Sequence, residues 1–204
     1  MTLETGDLLQ SILDSLDRID YIRPDDIPDI ELYMDQVTTF MDSRLKNAAR
    51  NPEVDKILTK TMINNYAKNN LLPSPVRKKY TQDHILLLVF IYYFKNLLNF
   101  NDIETILSYI TEHHFGEAPL PLSQVYTEVF TMEHSQMDKL KDDVKAKFET
   151  AEKTFSDVED PGEKDALQLF SFICELAFDV YLKKQMIERL ADEIRDEYPP
   201  AKKK

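Results

Sequence analysis

Only three glycines, Gly6, Gly116 and Gly162, occur in 204 residues, and that scarcity removes whole classes of fold. Loops that cradle phosphates need several glycines close together, so that backbone N–H groups can approach the ligand. P-loop and Rossmann nucleotide-binding folds are therefore excluded. With them go most cofactor enzymes, and no cofactor is expected. No stretch alternates apolar and polar residues over a useful strand length, apart from a minimal hairpin around Leu72 to Tyr80. Apolar residues recur instead at three-and-four spacing, and the fold class is all-α.

The spacing predicts the helices in turn. Leu8, Leu9, Ile12, Leu13, Leu16 and Ile19 place an amphipathic helix from about Asp7 to Tyr21, ended by Arg23 to Pro28. A second runs from about Glu31 to Leu45, with Leu32, Val37, Phe40, Met41 and Leu45 inward, followed by a polar connection containing Asn51-Pro52. Thr59 caps a helix over Lys60 to Asn69, Asn70 closes it in the left-handed conformation, and Pro73 and Pro75 forbid its continuation. Thr81 starts a helix that is apolar nearly all round from Ile85 to Phe94 and belongs at the centre of a core. Asn101-x-x-Glu104 has the form of a capping box. Beyond Gly116, Pro119 and Pro121, two long helices, about 122 to 157 and 163 to 198, flank Asp160-Pro161-Gly162 and form a hairpin. The first carries the stripe Met137, Leu140, Val144, Phe148, Ala151 and Phe155. The second carries a wider one running from Leu167 through Phe170, Ile173, Val180, Tyr181 and Leu190 to Ile194. The expected domains are 1–23, an N-terminal helix; 24–114, a compact helical domain; and 115–204, a dimerisation or effector region.

Charge is distributed unevenly. Ser43 to Tyr80 holds nine basic residues against Glu53 and Asp55, a local +7 in a chain whose total is −12. Such asymmetry marks one face for a polyanion and leaves the remainder to repel it. The single cysteine, Cys174, lies in the apolar stretch Phe170 to Cys174 and reads as a buried small hydrophobe; with no second cysteine, an intramolecular disulfide is impossible, which fits a reducing compartment. Acidic residues from Glu4 to Asp20 replace an export signal, and the apolar run Ile85 to Phe94 is too short for a membrane span of roughly 20 residues. A cytoplasmic location is expected.

Within the basic island the helix from Lys60 has two unlike faces. Met62, Ile63, Tyr66 and Ala67 turn inward, while Thr61, Asn64, Asn65 and Lys68 form an outward stripe of hydrogen-bonding groups. Repeated asparagine costs helix propensity. Asparagine amides pair bidentately with adenine in a major groove, and lysine reaches phosphate or guanine. Arg77-Lys78-Lys79 follows a proline-stiffened turn and reads as a basic wing. Taken singly, an Asn-rich surface helix and a solvated basic loop remain the competing readings. Together, Lys60, Thr61, Asn64, Asn65, Lys68, Arg77, Lys78 and Lys79 are the candidate contacts to duplex DNA.

The segment Thr59-Lys60-Thr61-Met62-Ile63-Asn64-Asn65-Tyr66-Ala67-Lys68-Asn69-Asn70-Leu71-Leu72-Pro73 resembles the MerR-type recognition helix, where a capping Ser or Thr precedes Thr-Ile-Arg-Tyr-Tyr and then Gly-Leu-Leu-Pro. Lys78-Lys79-Tyr80-Thr81 is similar to the Arg-Arg-Tyr-Ser step after the MerR wing, and Leu97 to Leu107 to the Gly-Phe-Ser-Leu-Glu-Glu-Ile segment. Ile30 to Val37 with Leu58 to Tyr80 resembles more closely an uncharacterised bacterial family, domain of unknown function 1836, over roughly residues 24 to 112. The resemblance implies a MerR-like winged helix-turn-helix at 24–114, followed by the helical hairpin. It places Asn64 and Asn65 where an arginine and a tyrosine face DNA, Tyr66 at the second tyrosine, Lys78 and Lys79 at the wing's end, and Tyr80 as the wing's anchor. The chain departs from that pattern in a very short wing, in the two asparagines, and in a longer connection from Lys46 to Leu58. Arg44, Lys46, Arg50 and Lys56 would line that connection as further phosphate contacts.

Enzymatic chemistry finds little support. His84, His113, His114 and His134 lie at no metal-ligand spacing, and no carboxylate is paired with a nucleophile, so catalytic and metal residues are both expected to be none. The rival from another class is an acidic helical protein-interaction module that does not touch DNA. The wide C-terminal stripe exceeds what one partner helix covers, so residues 122 to 198 form either an independent core or a homodimer interface, and the expected partner is a second copy, giving a homodimer.

Overall fold

A computed structural model describes residues 5–17, 22–46, 49 and 57–199. Arg50, Lys56, Ile19 and Asn51-Pro52 lie outside them. The chain is all-α with a minimal two-stranded sheet: α1 (Thr5–Asp17), β1 (Leu32–Tyr33), α2 (Met34–Leu45), α3 (Lys60–Lys68), β2 (Lys79–Tyr80), α4 (Gln82–Phe94), α5 (Phe100–His114), α6 (Leu122–His134), α7 (Met137–Ala151) and α8 (Pro161–Glu197). No helix among the described residues is long and apolar enough to cross a membrane. Two compact units form, a larger one of 20–131 with 187–204 and a smaller one of 1–19 with 132–186.

The larger unit is built round α4. Every residue from His84 to Ile91 is buried, as its all-round apolarity requires. Val37, Met41 and Leu45 of α2, Ile63 and Tyr66 of α3, and Ile103 and Leu107 of α5 join the same core. The expected boundary near residue 115 does not end this core. Leu122 and Tyr126 of α6 are fully buried in it, the Tyr126 hydroxyl donates to the Ile22 carbonyl at 2.6 Å, and its ring stacks on Phe130 at 4.2 Å. Near its C-terminus α8 supplies Arg195, whose guanidinium pairs at 2.9 Å with the nearly buried Asp102 of α5.

Three local expectations differ from the structure. Asn99, not Asn101, caps α5: its Oδ1 accepts the Asp102 N–H at 3.0 Å, and its amide donates to the Asp102 carboxylate at 2.7 Å. Asn-x-x-Asp two residues upstream satisfies the first-turn donors, so the Asn101-Glu104 pair lies inside the helix. The helix expected over 122–157 breaks at Ser135-Gln136 into α6 and α7 and ends at Ala151. Pro161, expected as a separator, opens α8 instead. The Asp160 carboxylate accepts the Glu163 N–H at 2.7 Å, and proline at the first helical position loses no hydrogen bond there.

In the smaller unit α1, α7 and residues 161–186 of α8 share Leu13, Val144, Phe148, Ala151 and Phe172, with Leu9, Leu169 and Leu176 packed against them. Phe148 and Phe172 meet edge to face at 5.3 Å. Much of the wide α8 stripe is left uncovered within the chain: Phe170, Ile173, Val180 and Tyr181 are exposed, as are Phe178 and Leu182. Residues 169–182 are apolar on both sides, so periodicity alone could not say which side this unit covers. Cys174 is half-buried, not enclosed.

His84 is expected to make the larger unit sensitive to acid. Its Nδ1 accepts from the Thr81 N–H at 3.0 Å and lies 2.8 Å from the Thr81 hydroxyl, while its buried Nε2 has no hydrogen-bond partner among the described residues. Burial among Tyr80 and Phe115 pushes the imidazole down to about 4, although the Pro73 and Ser74 carbonyls favour the charged form. Below the ordinary histidine value of 6.5 the unfolded chain takes up the proton, and the folded chain does not until about 4. Stability is therefore complete above that window and falls as pH drops through it, by about 3 kcal/mol in total. Thermal melts from pH 7 to pH 4 should show this loss, and His84→Leu should flatten the profile. An unchanged slope in the variant would assign the acid sensitivity elsewhere.

Candidate nucleic-acid interface

The outward stripe of α3 is fixed at both ends of the helix. At the N-terminus the Thr59 Oγ1 accepts the Met62 N–H at 3.2 Å, as expected from the sequence. At the C-terminus Asn70 sits at φ 59°, the Leu71 N–H bonds the Tyr66 carbonyl at 2.9 Å, and the Asn70 N–H reaches that of Ala67 at 3.4 Å, a Schellman closure. Buried Ile63 and Tyr66 set the rotation of the helix, and burial holds the Tyr66 phenol above its usual value. Thr61, Asn64, Asn65 and Lys68 are all exposed. Among the described residues none of the four donates or accepts a side-chain hydrogen bond that would tie it down. Their polar groups are turned to solvent on one face.

The wing is one tight turn. The Lys79 N–H bonds the Val76 carbonyl at 2.9 Å across Arg77 and Lys78, at φ 52° and 64°. Two successive left-handed residues are what a type I′ hairpin requires, a geometry that favours Asn-Gly. Here both positions carry long cationic side chains, each at a backbone cost of roughly 1–2 kcal/mol. Strain of this kind persists only where the surrounding structure over-determines it, and it clusters at functional sites. The turn is anchored below by β2, whose Tyr80 is buried edge-on against His84 at 5.4 Å, and beside it by β1 in the register Leu32↔Tyr80 and Tyr33↔Lys79.

Two of the eight candidate residues are already engaged. Lys60 pairs with Asp35 in the first turn of α2, and Lys79 pairs with Glu31 at 3.3 Å while its Nζ lies 5.9 Å from the Tyr33 ring centre. Arg44, expected to line the connection before α3, pairs with Asp26 at 3.7 Å. Exposed pairs of this kind contribute about 0–1 kcal/mol, so a phosphate can take over either lysine. Lys68, Arg77 and Lys78 are exposed and form no ion pair among the described residues. Tyr33, expected inside a helix starting near Glu31, lies instead in β1, a two-residue strand being too short to show alternation.

Among known proteins, the family model described as Domain of unknown function (DUF1836) matches residues 22–129, more than half of the chain and nearly all of the first segment of the larger unit. No curated protein and no solved structure matches.

Proposed function

We propose that this chain, which belongs to the domain of unknown function 1836 family, is a bacterial, cytoplasmic regulator of transcription that binds duplex DNA with a MerR-like winged helix-turn-helix. The observation that carries this reading is the pairing of an untethered Thr61-Asn64-Asn65-Lys68 stripe with a strained Arg77-Lys78 turn close by in the same unit. Helix α3 enters the major groove, where the asparagine amides read base edges and Lys68 reaches phosphate or guanine. The wing lays its cations on the neighbouring phosphates. The acidic remainder limits indiscriminate adhesion, so affinity concentrates on this face.

The exposed apolar side of α8 favours a second copy of the chain as partner, giving a two-headed dimer. That same surface favours the rival reading, an interaction module without DNA. Asn64→Ala with Asn65→Ala distinguishes base reading from general adhesion. The double variant should bind a selected operator about 10- to 100-fold more weakly and unrelated duplex nearly as well as the parent, measured by competition binding. Equal weakening on both would contradict a base-reading role for the pair.

A further inference from the structure

The small sheet presents a row that the winged-helix reading did not use. Leu32 and Tyr80 face each other in register and are both buried, so their pleat points into the core. The alternate pleat points out, and there Tyr33 lies opposite Lys79, which in turn bridges to Val76 across the wing. Tyr33, Lys79 and Val76 therefore stand abreast on one surface, with Tyr33 54% and Val76 69% exposed. A tyrosine left half-open beside a cation on an outward pleat is not contributing to the core. Its phenol has no hydrogen-bond partner among the described residues and is open to a ligand.

The position of that row decides what the ligand is. Tyr33 is the N-cap of α2, and two residues on, Asp35 of the same helix pairs with Lys60 at the start of α3. On its other side Tyr33 is joined through Lys79 to the Arg77-Lys78 tip. The residue thus sits at the seam between the recognition helix and the wing. When one enters the major groove and the other lies on the adjacent backbone, the strand between those grooves passes over the seam. Glu31 and Asp35 lie two residues to either side of Tyr33 in sequence, each holding a lysine, so a phosphate arriving there displaces a carboxylate from a cation already in place.

We propose that Tyr33 is a further DNA-contacting residue, its hydroxyl donating to a backbone phosphate between the grooves read by α3 and the wing. This rests on the duplex-binding reading above. The contact is to the backbone, so it strengthens binding on every sequence alike.

Tyr33→Phe removes the hydroxyl alone and keeps the ring, the strand pairing and the charge. Duplex affinity should fall about tenfold on operator and unrelated sequences equally, the size of one hydrogen bond to a charged oxygen, with the salt slope unchanged. A benzophenone amino acid at position 33 should crosslink to duplex DNA under light. If the parent binds duplex while Tyr33→Phe binds equally well and no crosslink forms at position 33, the proposal is overturned and the helix-and-wing reading stands. If the parent itself binds no duplex, the underlying reading fails and takes this one with it.

Discussion

Replacing Arg77 by asparagine and Lys78 by glycine is expected to make the protein more stable and a far weaker DNA binder. Both native residues sit at positive φ, 52° and 64°, where a Cβ crowds the following carbonyl. Asn-Gly is the pair that a type I′ turn favours, so the substitution should relieve about 1–2 kcal/mol of backbone strain and raise Tm by a few degrees. It also deletes two exposed cations. With each neutralising one phosphate, the slope of log affinity on log salt should flatten by about 1.8, and affinity near physiological salt should drop about 100-fold. Opposite signs for stability and binding are what separate a functional tip from an ordinary loop. Thermal melts and fluorescence anisotropy on the same variant give both numbers. A more stable variant that binds duplex as well as the parent would reduce the wing to a turn.

The second large effect is on assembly. Phe170, Ile173, Phe178, Val180, Tyr181 and Leu182 are between 53% and 65% exposed along consecutive turns of α8. At roughly 100–150 Å² of open surface each, they present about 700 Å², more than the 300–600 Å² of a usual monomer patch and close to the ~800 Å² each partner gives a stable interface. Ile173→Asp with Tyr181→Asp places buried, unpaired charge in such an interface on both copies. Association should weaken by about a thousandfold or more, turning a dimer at micromolar concentration into a monomer. Both positions are exposed in the single chain, so its melting temperature should hardly move. Sedimentation equilibrium decides: a parent protein that is monomeric at about 10 µM contradicts the dimer.

The sequence was most legible where one local rule acted alone. Thr59 as cap, Asn70 as left-handed closure and the inward Ile63-Tyr66 pair all follow from side-chain chemistry within one helical turn, and they appear where expected. Misreadings arose where two local solutions competed. Asn99 and Asn101 can each cap α5, and the buried Asp102, tied to Arg195 from α8, goes with the first. Residues 169–182 of α8 have apolar groups on both sides, and only packing of Phe172 and Leu176 against α1 and α7 reveals which is covered. The positive φ at Arg77 and Lys78 contradicts the preferences of both residues, so no propensity argument finds it. A site shaped by strain is hidden from sequence in proportion to that strain.

The measurement that bears most directly on the central claim is binding of the unmodified protein to duplex DNA across a salt series. Lys68, Arg77 and Lys78 are open, and Lys60 and Lys79 can exchange Asp35 and Glu31 for phosphate. Three to five neutralised phosphates at about −0.9 each predict a slope between about −2.7 and −4.5. Absence of duplex binding at low salt and micromolar protein would contradict the account and leave the apolar α8 surface as the working part of the molecule.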